Sequence, residues 1–228
     1  MKYIIMCGGN YEKFETPRQL TKIKGEPLVA RTIRLLREQG VEDIAISSNN
    51  DIFDQFGVPL LKHENNYKVI VEEYNLRYEG WWTDAFYPTN EPTTYFFGDV
   101  FFSPEAIKTI VETETDDFEF FASAPPYSEY YFKPYQEPFA FKIVNTKHLR
   151  QAIEDCKLNY MNGLFWRHPI AWELWTTLKY GRMKKRHDVY KGTYTVINDY
   201  TIDVDSVADV KLIEQYAPPV ADLSSLNH

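Results

Sequence analysis

A chain of 228 residues, 44% hydrophobic and 25% charged, is long enough to bury one full core but cramped for two, so one domain over 1–228 with a modest insertion is expected. The formal net charge of -8 excludes a binder of nucleic acid polymers, which needs clustered Lys and Arg to displace counterions from phosphates. No apolar run approaches the ~20 residues that span a bilayer, and Cys7 and Cys156 lack metal-ligand or redox spacing. The expectation is a protein of the reducing cytoplasm, away from membranes.

The run at 3–7 is rich in β-formers and stops at Gly8 and Gly9, which predicts a buried strand opening into a turn. After the polar loop with Thr16, Pro17 and Arg18, residues 27–39 set Leu28, Ile33, Leu35 and Leu36 on a helical stripe closed by Gly40. Residues 41–48 predict a second buried strand, so the first 48 residues form a βαβ unit with parallel pairing. The α/β alternation continues with a strand at 94–100 and a helix opened by Ser103 and Pro104. Strands at 117–124 and 139–144 flank a Pro- and Tyr-rich stretch, 125–138, that suits an inserted loop or hairpin. A helix at 146–155, an aromatic segment at 160–180 that is helical in its second half, and a strand at 194–203 follow. The last helix, 206–216, starts with Ser206 and has Asp209 three residues on, much like a capping box.

Three constellations carry chemistry. Glycines after a first strand, here Cys7-Gly8-Gly9-Asn10-Tyr11 with Lys13 and Arg18 nearby, let backbone amides approach phosphate oxygens while fixed cations neutralise them. Gly98-Asp99 ends a strand, where ligands of open α/β sheets gather. Asp203-Val204-Asp205-Ser206 is a strand end running into a capped helix. Each alone has a plainer reading, as a tight turn, a turn carboxylate or a first-turn acid favouring the helix dipole.

Together they resemble the nucleotidyltransferase superfamily with the glycosyltransferase-A-like fold, which includes sugar-1-phosphate nucleotidylyltransferases and cytidylyltransferases. That family has Gly-Gly-x-Gly-x-Arg followed by Pro-Lys-x-Leu; the matching residues are Gly8 to Lys13, then Pro17-Arg18-Gln19-Leu20, with Lys24-Gly25-Glu26-Pro27-Leu28 similar to its entry into the first helix. Among members, the cytidylyltransferases that activate phosphocholine are most similar. The resemblance implies a three-layer α/β sandwich with a mostly parallel central sheet and a reaction that joins NMP, with CTP as donor, to a small phosphorylated acceptor, releasing pyrophosphate. It implies Mg²⁺ on Asp99 and on Asp205 or Asp203, triphosphate charge covered by Lys13 and Arg18, and Gly98 beside the nucleotide. Three departures stand out: Tyr11 for glycine, Lys13 for arginine and Arg18 for lysine. The basic swaps keep charge but exchange a point charge for a planar fork and the reverse.

Trp81, Trp82 and Thr83 precede the Asp99 strand as the family's base-contacting loop does; the two rings are equally suited to the core. Lys133, Lys142 and Arg167 are candidates for the acceptor's phosphate. The 17 Tyr, 15 Phe and 5 Trp suit core packing, a homo-oligomer interface or, at Tyr127, Tyr130, Tyr131, Tyr135, Trp166, Trp172 and Trp175, a cage for a cationic head group. Lys184 to His187 is a basic run that reads as a solvated loop or an anion-contacting rim. Capsule, teichoic acid or lipopolysaccharide assembly would consume such a product. Competing readings are a glycosyltransferase of the same fold and a catalytically silent nucleotide binder.

Overall fold

In the computed structural model, which describes residues 1–12, 16–64, 67–72, 75, 77–124, 136–165, 167–184 and 193–216, the apolar opening becomes β1 (Lys2–Met6), and the loop after it forms a short strand, β2 (Asn10–Tyr11). A hairpin of β3 (Lys22–Ile23) and β4 (Glu26–Pro27) feeds helix α1 (Leu28–Glu38), which buries Leu28, Val29, Ile33, Leu35 and Leu36. The helix ends before Gly40, whose φ of 75° is cheap only for glycine. β5 (Ile44–Ser47) then pairs parallel with β1, completing the expected βαβ unit.

Next come β6 (Leu60–Leu61), β7 (Lys68–Ile70), β8 (Arg77–Glu79), β9 (Thr93–Phe97), β10 (Val100–Phe101) and α2 (Pro104–Glu112), whose cap Ser103 accepts the Ala106 N–H at 2.8 Å. β11 (Phe118–Ser123), β12 (Pro138–Ile143), α3 (Thr146–Met161), α4 (Ala171–Tyr180), β13 (Thr195–Ile197), β14 (Ile202–Asp203) and α5 (Val207–Tyr216) complete the described order.

Among the described residues the central sheet has seven strands in the order β13-β11-β12-β9-β1-β5-β6. It is parallel except where β12 meets β9 and β11. From β1 the chain crosses to β5 on one side and later returns to β9 on the other. β1 is therefore a topological switch point, and a crevice opens outside its carboxyl end.

Strand alternation feeds both faces of the sheet. Phe96 stacks on Tyr3 and meets Phe102 edge-on, whereas its neighbour Phe97 meets Trp82 and Phe141. Helix α4 lays Trp172 and Trp175 on Phe120. At the outer end the β11–β12 ladder steps from Phe121↔Ala140 to Ala122↔Pro138, skipping Phe139. This bulge turns Phe139 toward Phe102, away from the face served by Phe141.

The single strand expected over 194–203 is two. Asp199 Oδ1 accepts the Thr201 N–H at 2.7 Å, a side-chain turn that breaks the ladder. β13 stays in the central sheet, while β14 leaves it to pair antiparallel with β10, Val100 opposite Asp203. That switch carries the second acidic motif to the first.

Candidate active site

The carboxyl ends of β1, β5 and β9 open on a cleft of about 1480 Å³ lined by Cys7, Gly8, Gly9, Arg18, Trp82, Asp99, Asp203 and Asp205, among others. Asp99 follows β9 directly, and its carbonyl accepts the Val204 N–H at 3.0 Å, which anchors the 203–206 segment beside it. The start of the following helix is held by Asp209. Asp209 Oδ2 accepts from the Asp205 N–H at 3.0 Å and the Ser206 hydroxyl at 2.9 Å, so the aspartate reaches one residue before the cap and does not close the expected capping box on the Ser206 amide.

Arg18, in a 3₁₀ turn at Arg18–Leu20, spans the two acidic motifs. Its Nη2 lies 2.7 Å from Asp99 Oδ2, and its Nη1 donates to Asp205 Oδ1. Burial works against the guanidinium charge, but Asp99, Asp203 and Asp205 outweigh it and hold the pKa above the ordinary arginine value. Burial, with the charges of Asp99, Asp205 and Glu137 adding to it, pushes the Asp203 carboxyl well up.

Glu137 is the residue that sequence reasoning missed. Its carboxylate, with those of Asp203 and Asp205, offers oxygens within 4.8 Å of one another, a set able to hold a metal ion. The backbone at 137 is fixed by Ser123, whose N–H donates to the Glu137 carbonyl and whose Oγ accepts the Glu137 N–H, both at 2.8 Å. Nothing local marks Glu137, because it lies at the edge of a Pro-rich stretch; only the β11–β12 register brings it beside Asp203 and Asp205. The Ser48, Asn49, Asn50 and Asp51 wall was also missed. Its signal was available: a polar run directly after a buried parallel strand.

The glycine loop explains one departure from the family pattern. Asn10 and Tyr11 pair in parallel with Lys68 and Val69, and the Glu12 N–H donates to the Val69 carbonyl at 3.2 Å. The position occupied by Tyr11 is thus a strand position, where an aromatic residue is favoured and glycine is not. Gly9 has φ 80°, and a Cβ there would lie 3.4 Å from the Tyr67 ring. Gly98 is a packing glycine: a Cβ would sit 2.6 Å from the Met6 carbonyl and 2.8 Å from Cys7 Sγ, so the ends of β1 and β9 approach this closely only without a side chain.

Several candidates lie elsewhere. Lys142 pairs opposite Thr94, toward the start of β9, and its Nζ donates to the Val111 and Thr113 carbonyls at 2.9 and 2.6 Å, so it caps α2 away from the cleft. Arg167 grips Glu173, whose side chain is fully buried, at 2.6 Å. Glu173 in turn accepts the Ile170 N–H and caps α4. Trp172 and Trp175 are 2% and 1% exposed, core residues with no face for a ligand. Trp82 borders the cleft, edge-on to Phe86 and Phe97, while Trp81 stacks on His168 at 5.1 Å and Thr83 is buried. Lys184 lies over the Tyr180 ring. Lys13, Lys133, Tyr127, Tyr130, Tyr131, Tyr135, Trp166 and the 185–187 part of the basic run lie outside the described residues, as do the side chains of Asn10 and Tyr11.

A mostly parallel seven-stranded sheet with its ligand crevice at β1 is the class of fold found in nucleotidyltransferases. Residues 3–72, from β1 through β7, match the MobA-like NTP transferase domain. Nearly the whole chain superposes on a Bacillus anthracis protein described as a glucose-1-phosphate thymidylyltransferase, with 14% identity, 97% of each chain covered and a TM-score of 0.55. The 4-diphosphocytidyl-2C-methyl-D-erythritol synthase from Anaerococcus prevotii gives 13% identity over 94% of this chain and 98% of that one, TM-score 0.51. The inositol-1-phosphate CTP transferase from T. maritima gives 14% over 95% and 98%, TM-score 0.50. The match at residues 3–72 and the shared fold make the chain similar to nucleotidyltransferases, in line with the resemblance of its motifs. Among the described residues no helix is long and apolar enough to cross a membrane.

Proposed function

We propose that the protein is a Mg²⁺-dependent cytidylyltransferase of the cytoplasm, transferring CMP from CTP to a small phosphorylated acceptor. The observation that carries this reading is the meeting of Arg18, Asp99 and Asp205 beside the glycine loop at the mouth of β1. An acceptor phosphate oxygen attacks the α-phosphorus in line, the bond from that phosphorus to the bridging oxygen of the β-phosphate breaks, and pyrophosphate leaves with the electron pair. The attacking phosphate is already ionised at neutral pH, so positioning and charge neutralisation are the main demands.

The donor set fits a hard cation, since Glu137, Asp203 and Asp205 offer only carboxylate oxygens and Asp99 lies one guanidinium away. Bound there, Mg²⁺ supplies charge neutralisation for the phosphates. Gly8 and Gly9 present backbone at the same mouth, Arg18 answers phosphate charge, and Trp82 with the Ser48 to Asp51 wall borders the nucleoside side; Lys13 is the second candidate for the β- and γ-phosphate charge on the sequence resemblance alone. Lys133 is the remaining candidate for the acceptor phosphate.

CTP is favoured as donor because two of the structural relatives are named for cytidylyl chemistry and the sequence resembles cytidylyltransferases. A product of this kind, an activated head group or sugar, is a precursor for cell-surface polysaccharide. The test is Mg²⁺-dependent pyrophosphate release from each NTP against phosphocholine, sugar 1-phosphates and inositol phosphate, with Asp99→Asn as control. Release that requires one NTP, one acceptor and Asp99 supports the reading; NTP binding without release across the panel opposes it.

A further inference from the structure

Asp205 belongs to two arrangements at once. One carboxylate oxygen accepts from Arg18 Nη1, and the residue also completes the oxygen trio with Glu137 and Asp203. Arg18 simultaneously holds Asp99 at 2.7 Å, so a single planar guanidinium bridges the two acidic motifs that the fold brings together from distant parts of the chain. A divalent cation seated on these oxygens and the guanidinium compete for the same negative charge.

Exposure indicates whether the bridge opens readily. The Arg18, Asp99 and Asp205 side chains retain 24%, 17% and 43% of their accessible surface. The Asp205 end of the bridge is exposed, so water can replace its contact with Arg18, while the Asp99 end is half-buried. The Arg167–Glu173 pair makes the contrast, since its carboxylate is 0% exposed and cannot be released without stranding a charge. The Arg18 bridge is built to be exchanged and the Arg167 bridge to be kept.

We propose that Arg18 is a resident counter-cation of the acidic cluster, which a divalent metal displaces from Asp205 and Asp99, freeing the guanidinium to turn toward the incoming phosphates. The proposal rests on the nucleotidyltransferase reading for its phosphate partner, but not for the exchange itself. Its consequence is a coupling between metal and nucleotide through one side chain: the protein alone holds metal weakly, and phosphates that draw Arg18 away strengthen the metal site.

The test is Mn²⁺ binding to the full chain without nucleotide, followed by the electron paramagnetic resonance signal of free Mn²⁺. Arg18→Gln is expected to tighten Mn²⁺ binding by about tenfold, within the usual range of coupled sites. Arg18→Lys, which keeps the charge but loses the planar fork, tightens it less, and Asp205→Asn weakens it. The lysine variant gives the same reading should the glutamine variant fail to fold, which thermal melting checks. Mn²⁺ affinity equal to or weaker than wild type in both Arg18 variants overturns the exchange. Pyrophosphate release by the wild-type protein is scored separately. Release with unchanged Mn²⁺ affinity in the variants keeps the enzyme reading and rejects the exchange; tightened Mn²⁺ with no release keeps the exchange and rejects the reading.

Discussion

Arg18 Nη2 and Asp99 Oδ2 lie 2.7 Å apart, joining the turn after the glycine loop to the end of β9. The pair lies at the crevice outside β1, where the chain order of the strands reverses. Asp99→Asn keeps the shape of the side chain but removes the charge. Loss of one such electrostatic group typically costs about a hundredfold or more in rate, and pyrophosphate release measured at saturating NTP and acceptor is expected to fall accordingly, with the thermal midpoint little changed.

Gly98→Ala tests packing instead of chemistry. The added Cβ would meet the Met6 carbonyl at 2.6 Å and Gln19 Cγ at 2.9 Å, and a backbone atom cannot step aside. Overpacking of this kind costs about 1–3 kcal/mol. Urea unfolding is expected to show it as a lower midpoint with an unchanged slope.

Arg167→Ala leaves the buried Glu173 carboxylate without its guanidinium. Breaking a buried pair costs about 3–5 kcal/mol. The double variant Arg167→Ala, Glu173→Gln is expected to recover a substantial part of that loss in thermal or urea melts, because the stranded charge is gone; no recovery would mean that the arginine acts through packing alone.

Burial pushes the imidazoles of His63 and His168 below the ordinary value of 6.5. The unfolded chain therefore takes up protons at these positions first. The stability they contribute is complete above pH 6.5 and is lost as pH falls through the lowered values. Melting points followed from pH 7.5 to 5 are expected to fall less steeply in His168→Gln than in wild type, since that ring, stacked between Tyr78 and Trp81, no longer titrates.

Tyr11→Gly restores the residue usual in the family's loop but removes a β-former from a paired strand. A cost of about 1 kcal/mol is expected at such a site. Amide hydrogen exchange at Glu12, whose N–H donates to Val69, is expected to accelerate while that of β1 does not.

The sequence alone determined the local part of this protein. The switch from apolar β-formers to Gly8 and Gly9, the stripe on α1 and the cap at Ser103 are set by neighbours a few residues apart, and each was legible with its element. Arg18, Asp99 and Asp205 were singled out by the resemblance, and the fold brings the three side chains together. The tertiary structure alone decided which side chains share a space. Lys142 and Glu137 both belong to the β12 region, yet the β9 register sends Lys142 to the far end of the sheet, while the Ser123 clamp sets Glu137 beside Asp203. Trp172 and Trp175 were open to a ligand cage, an interface or the core, and the packing of α4 on Phe120 puts them in the core. Burial and proximity come from strand register and helix docking between segments far apart in the chain, and no window of sequence contains both partners.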